Sequence, residues 1–156
     1  MNMYRITKSD GYMAFHSDCL SSIQIDYSGD GRDNDYVIIR LDYLNVCGHI
    51  VLTMVDFRTL CSSINGLNYK INQKEKCFGH IGTYYDSLTP NTELKIFYQV
   101  NNFINFQICS TLNLVVSIRV TAKQLKLLND LLQELIKYIN LTKKLQKLED
   151  LNNGPV

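Results

Sequence analysis

Alanine and proline occur only twice each in this chain of 156 residues. Long apolar runs are absent as well. None approaches the roughly 18 residues that a membrane helix needs, so a spanning segment is not expected. The opening stretch MNMYRITKSDGYMAF has no apolar core of the kind a secretory signal carries, and a cytoplasmic protein is expected. Charge of one sign is missing too. A formal net charge of +1 and a pI near 7.6 provide no global field for nucleic acid, membrane or acidic substrate. The five cysteines include no Cys-x-x-Cys pair. Their odd number and irregular spacing point to reduced thiols rather than a disulfide framework. No P-loop, GxGxxG fingerprint or nucleophile elbow occurs, so no sequence motif marks the chain as an enzyme.

What is plentiful is Asn, Ile, Lys, Tyr and Phe. These residues use AT-rich codons, whereas Ala and Pro use GC-rich ones. The bias suggests an AT-rich genome, for which a bacterial phage or mobile element is one source.

The chain also writes one pattern twice. Gly48–Leu67 reads as a strand, a cap and a helix, and Asn113–Leu132 reads the same way. In this alignment Val51 meets Val116, Val55 meets Val120, Asp56 meets Thr121, Leu60 meets Leu125 and Leu67 meets Leu132. Upstream, Ile39, Leu41 and Tyr43 meet Ile104, Phe106 and Ile108, and both triplets alternate as half-buried strands do. Further upstream IQIDY, starting at Ile23, matches LKIFY, starting at Leu94, and Gly11 matches Gly82. The change in spacing falls in the loop SGDGRDND, where an insertion is tolerated.

Turns are expected at Asp30-Gly31, Cys47-Gly48, Pro90-Asn91 and Asn101-Asn102. Asp56 and Thr121 are the expected helix caps. The first helix is expected to stop near Asn65-Gly66. The second carries a stripe, Leu125, Leu128, Leu132, Leu135 and Ile139, widened by Leu127 and Leu131, which suits packing on a sheet.

The predicted fold is therefore α+β, a pseudo-two-fold ββββα-ββββα tandem of antiparallel sheet-then-helix repeats with a longer C-terminal helix. A single domain, 1–156, is expected, with related halves at about 11–67 and 82–139 and a Lys/Leu-rich helical tail over 140–156. Over about 11–139 this order of elements resembles the tandem fold of the Whirly and Pur-repeat families. That resemblance implies single-stranded nucleic-acid binding and carries over no individual residue.

Three Cys/His pairs stand at chelating spacing: His16 with Cys19, Cys47 with His49, and Cys77 with His80. Zinc needs four such ligands in a tetrahedron, and no metal or other cofactor is expected. The stretch DYSGDG from Asp26 to Gly31 begins like a calcium loop. It then places Asp33 and Val37 where that loop needs an apolar residue and a glutamate. Its acids, Asp26, Asp30, Asp33 and Asp35, read as a polar hairpin that could serve as a recognition edge.

Two faces stand out. With Val51 and Val55 inward, Leu52 and Met54 face outward, beside Ile38, Arg40 and Leu44. Such an apolar face with a charged rim suits another protein or a second copy. In the second half, Lys95, Phe97, Phe103, Asn105, Gln107 and Arg119 share the face opposite Ile104, Phe106 and Ile108, a set suited to stacked bases. The leading expectation is a small non-enzymatic binding protein acting through the first face, such as an inhibitor or anti-defence factor of a mobile element. A single-stranded nucleic-acid-binding module is the alternative, and an enzyme the third reading.

Overall fold

In the computed structural model, residues 3–7, 12–16, 21–29, 31 and 34–153 are described, the first two segments as backbone alone. The elements in chain order are β1 (Met3–Thr7), β2 (Tyr12–His16), β3 (Ser21–Ser28), β4 (Tyr36–Tyr43), β5 (Val46–Thr53) and α1 (Met54–Asn72). They are followed by β6 (Gly79–Tyr85), β7 (Thr92–Tyr98), β8 (Phe103–Ser110), β9 (Asn113–Thr121) and α2 (Ala122–Asn152). The fold is α+β. One antiparallel sheet consists of β3, β4 and β5, extended at the β3 edge by β2 and β1. The other is the four-stranded meander β6-β7-β8-β9. No helix among the described residues is long and apolar enough to cross a membrane.

Period-two patterning sets which face of each sheet is buried. Ile23, Ile25 and Tyr27 of β3, Val37, Ile39 and Leu41 of β4, and Ile50 and Leu52 of β5 point to the core. In the second sheet Leu94, Ile96 and Tyr98 of β7, Ile104, Phe106 and Ile108 of β8, and Val116, Ile118 and Val120 of β9 do the same. All of them belong to one apolar cluster together with Phe57, Leu60, Ile64 and Leu67 of α1 and Leu125, Leu128, Leu132, Leu135 and Ile139 of α2.

Gly48 lies inside β5, and the hairpin turns at Leu44-Asn45 rather than at the expected Cys47-Gly48. Leu44 takes the left-handed conformation there, at φ 56. The reason for glycine at position 48 is proximity. A Cβ on it would lie 2.9 Å from Val116 Cγ1 and 3.3 Å from Ile108 Cγ2. This is where β5 meets the second sheet, and a bare backbone permits the approach. The expected turns at Pro90-Asn91 and Asn101-Asn102 are present, with Asn91 at φ 60 and Asn102 at φ 66.

The first helix starts three residues before the expected cap. Thr53 is the N-cap, its Oγ1 accepting from the Asp56 amide at 3.3 Å. Asp56 lies within the first turn, where its charge complements the helix dipole. Nor does α1 stop at Gly66. Its apolar stripe continues to Ile71, which packs on the core, and this outweighs the ~1 kcal/mol that a mid-helix glycine costs. Thr121 caps α2 as expected, in a capping box with Gln124: each side chain bonds the other's backbone amide, at 3.2 and 2.9 Å.

α2 runs unbroken past Asn140 and Thr142. Asn140 Oδ1 accepts from Arg58 Nη2 at 2.9 Å, and Thr142 Oγ1 donates to the Tyr138 carbonyl at 3.0 Å. Beyond Ile139, Leu141, Leu145 and Leu148 are exposed. The β3–β4 loop supports this last stretch. Gly31, at φ +92, sits so close that a Cβ would lie 2.7 Å from Lys143 Cα. Asp35, buried, holds the loop by accepting from the Gly31 amide at 2.7 Å and from the Tyr27 hydroxyl.

Leu128→Ala is expected to cost about 2–5 kcal/mol, because truncation leaves a cavity in the shared apolar core. Thr121→Ala is expected to cost about 0.5–2 kcal/mol through loss of the capping hydroxyl. Urea denaturation midpoints measure both. A loss under about 1 kcal/mol for Leu128→Ala would show that the stripe is not core.

Candidate functional site

The outer face of the first sheet is polar. Across the strands Gln24, Arg40 and His49 form one row, and Ser22, Asp42 and Cys47 the next. Arg40 pairs with Asp42 at 3.0 Å. The five residues expected to form a protein-binding surface do not converge here. Ile38 and Arg40 do share this face. Leu44 is exposed in the turn at the end of the hairpin, Leu52 is fully buried in the core, and Met54 opens α1 and packs against the core.

The physical reason is strand parity. Three apolar residues in a row, Ile50, Val51 and Leu52, are compatible with either face. Contact with the second sheet selects Ile50 and Leu52. Val55, expected inward, is 74% exposed because the strand has already become helix. Val51 points outward yet is buried. The loop after β6 lies along its edge, with the Val51 amide donating to Asp86 Oδ1 at 3.1 Å and the Ser87 amide donating to the Val51 carbonyl at 2.9 Å. Together with Ile38, Met54 and Leu88, Val51 lines a groove of about 500 Å³.

The candidate Cys/His pairs are similarly dispersed. Cys47 and His49 are both exposed on the outer face of β5, and Cys77 and His80 flank an opening beside Lys70 at the end of α1. Cys19, Gly11, Asp30 and Asp33 lie outside the described residues, as does the side chain of His16. Among the described residues no three His, Cys, Asp or Glu side chains gather as a metal site requires. Asp35 is not part of an acidic edge, since it is buried as the anchor of its own loop.

Neither Cys47 nor Cys61 is poised as a nucleophile. Burial pushes Cys61 up to about 12. Partial burial and then the neighbouring Asp42 raise Cys47, the reverse of what an activated thiol needs.

The second sheet presents a different outer face. Phe97 and Lys95 of β7, Phe103, Asn105 and Gln107 of β8, and Ser117 and Arg119 of β9 alternate with the inward apolar set. All four residues of the expected nucleic-acid face, Lys95, Phe97, Phe103 and Arg119, therefore lie together. Register sets His80, Phe97, Asn105 and Arg119 side by side across all four strands, and Lys95 beside Gln107 and Ser117 in the next row.

Phe97 lies diagonally from Phe103, a relation that separates positions by about 7–8 Å. The Arg119 guanidinium lies 5.7 Å from the Phe103 ring centre, and His80 meets Phe97 edge-on at 5.5 Å. His80 Nε2 is also 2.6 Å from Thr83 Oγ1. Lys95 reaches Glu93 at 3.1 Å, and that hydrogen bond and charge hold its ammonium above the usual lysine value.

Asn105 stands in the middle of this face and is only 6% exposed. Its Oδ1 has no hydrogen-bond partner among the described residues. The sequence placed Asn105 on the face, but its burial depends on how its neighbours fold over it, which alternation alone does not reveal. Against this geometry, no protein-family profile and no curated protein matches the chain.

Leu52→Asp is expected to abolish cooperative folding, because it places a charge in the shared core. Circular dichroism checks this, and a folded variant would contradict the inward placement. In a thiol titration at pH 8, native protein is expected to modify Cys47 and to leave Cys61 unmodified until it is unfolded.

Proposed function

We propose that this protein binds single-stranded nucleic acid on the outer face of the second sheet. The observation that carries the reading is the placement of Phe97 and Phe103, diagonal neighbours on an open sheet, with Arg119 and Lys95 at their sides. Unpaired bases stack on aromatic rings, and each stack is worth about 1–3 kcal/mol. The diagonal spacing of about 7–8 Å suits two consecutive bases of an extended strand. The cations serve the backbone. With two of them the phosphate contribution is small, which agrees with the near-neutral chain.

The finer architecture belongs to the same reading: we infer that the two halves are copies of one ββββα unit. Support comes from caps and helix stripes in matching order. Thr53 corresponds to Thr121, Phe57 to Leu125, Leu60 to Leu128, Ile64 to Leu132 and Leu67 to Leu135, all at one constant offset. Asp56, aligned with Thr121 by sequence, is not the partner in this pairing.

A second reading, contact with another protein or a second copy, draws support from exposed apolar side chains at two hairpin ends. These are Tyr43, Leu44 and Val46 on the first sheet and Leu112, Leu114 and Val115 on the second.

Fluorescence anisotropy with labelled single-stranded oligonucleotides tests the proposal. Phe97→Ala and Phe103→Ala are each expected to weaken binding about five- to a hundredfold while leaving the circular dichroism unchanged. The logarithm of affinity is expected to fall with the logarithm of salt concentration at a slope of about −0.7 to −1.4, as one or two phosphate contacts imply. Unchanged binding in both variants would refute the assignment of this face.

A further inference from the structure

Among the described polar side chains of this face, the Asn105 carboxamide is the buried one. Phe97 lies to one side of it on β7 and Arg119 to the other on β9, with Phe103 and Gln107 on the same face of its own strand. These neighbours leave it 6% exposed, and its Oδ1 lacks a donor among the described residues. A buried amide oxygen without a donor costs the desolvation of that group, and native proteins seldom leave one unsatisfied.

No donor among the described residues reaches Oδ1. Arg119 lies over the Phe103 ring, and Ile104 and Phe106, the chain neighbours of Asn105, point into the core. The other buried amide oxygen without a partner, on Asn129, sits between the two helices, where its Nδ2 donates to Asn65 at 3.1 Å. Asn129 thus already has a side-chain partner between the helices, whereas Asn105 belongs to the outer face of the second sheet.

We propose that Asn105 reads a nucleobase, taking the edge of an adenine stacked on Phe97. This rests on the reading of the face as a nucleic-acid site and deepens it. A phosphate cannot satisfy Oδ1, because phosphate oxygens are acceptors as well. The N–H that Oδ1 lacks is carried by base edges. A carboxamide sets an acceptor and a donor side by side in one plane, and it pairs with an edge that offers a donor beside an acceptor.

Reach selects the base. Neighbouring strands lie about 4.7–4.9 Å apart, so a base centred on Phe97 must extend one strand further to meet Asn105. A fused purine spans that distance better than a single pyrimidine ring. Among purines, adenine offers its amine beside a ring nitrogen, and asparagine pairs with that edge through two bonds. Guanine turns two acceptors, O6 and N7, toward the same place on that edge, and its donor beside an acceptor, N1–H beside O6, lies on its Watson–Crick edge instead.

The test is anisotropy of the full chain with labelled oligo(dA), oligo(dC), oligo(dT) and oligo(rA). The parent is expected to prefer oligo(dA) over oligo(dT) and oligo(dC) by at least about fivefold, the lower end of a bidentate base contact. Asn105→Leu, similar in volume and without polar atoms, is expected to remove that preference while leaving oligo(dT) affinity unchanged. Asn105→Ala serves as a second variant that adds no volume, and circular dichroism confirms the fold of each.

Three results would overturn base reading and leave the face intact: equal affinity for all three DNA strands that is lost in Phe97→Ala, a preference that survives in both Asn105 variants, or a preference for oligo(rA) over oligo(dA) that disappears with Asn105, which would make the sugar hydroxyl the donor. Failure of the parent to bind any strand would overturn the face as well as the reader.

Discussion

The approach of β5 to the second sheet at Gly48 is the contact on which the other packing depends. Each sheet has one apolar face, and neither can cover it alone. Because position 48 carries no side chain, Ile50 and Leu52 enter the same cluster as Val116 and Ile118, and the two helices complete the enclosure. A single shared core follows, and it commits every inward position of β3, β4, β5, β7, β8 and β9. Among the described residues, those free to meet a ligand lie on the outer sheet faces, the outer sides of the helices, the hairpin ends and the overhanging end of α2.

Those outer faces differ in kind. The first sheet carries Gln24, Arg40, His49 and Asp42, and Arg40 and Asp42 form an ion pair. The second carries two phenylalanines, a guanidinium and amides, with the Lys95–Glu93 pair at its flank. Flat π surfaces at half-exposed positions interact through contact area and quadrupoles, so recognition there depends on shape more than on long-range attraction. A chain of nearly zero net charge has little means of drawing a polyanion from a distance. Close fit has to supply the affinity.

How much was legible in the residues follows from where their signals were unambiguous. Alternation is plain in Leu94-Lys95-Ile96 of β7, Ile104–Ile108 of β8 and Val116–Val120 of β9, so Lys95, Phe97, Phe103 and Arg119 could be placed on one face before any coordinates. The Thr121 cap and the α2 stripe were equally plain. Leu52 and Met54 were misplaced because Ile50-Val51-Leu52 has no alternation to read and because the helix begins immediately after the strand. Gly48 and Gly66 misled for a related reason. Glycine marks both turns and close approaches, and only the neighbour across space, Val116 for Gly48, distinguishes them. For Gly66 the apolar stripe running on to Ile71 outweighed the local propensity. The covering of Asn105 lay beyond any local pattern, since it arises from side chains on three strands.

The rest of Gly31 against Lys143 has a consequence for how the chain is made. Synthesis delivers the β3–β4 loop well before the turn of α2 that meets it. Before residue 143 emerges, bonds from Gly31 and Tyr27 to Asp35 are already able to form within the loop. α2 therefore acts as a clasp: when the turn around Lys143 settles on the loop, two segments far apart in sequence are held together.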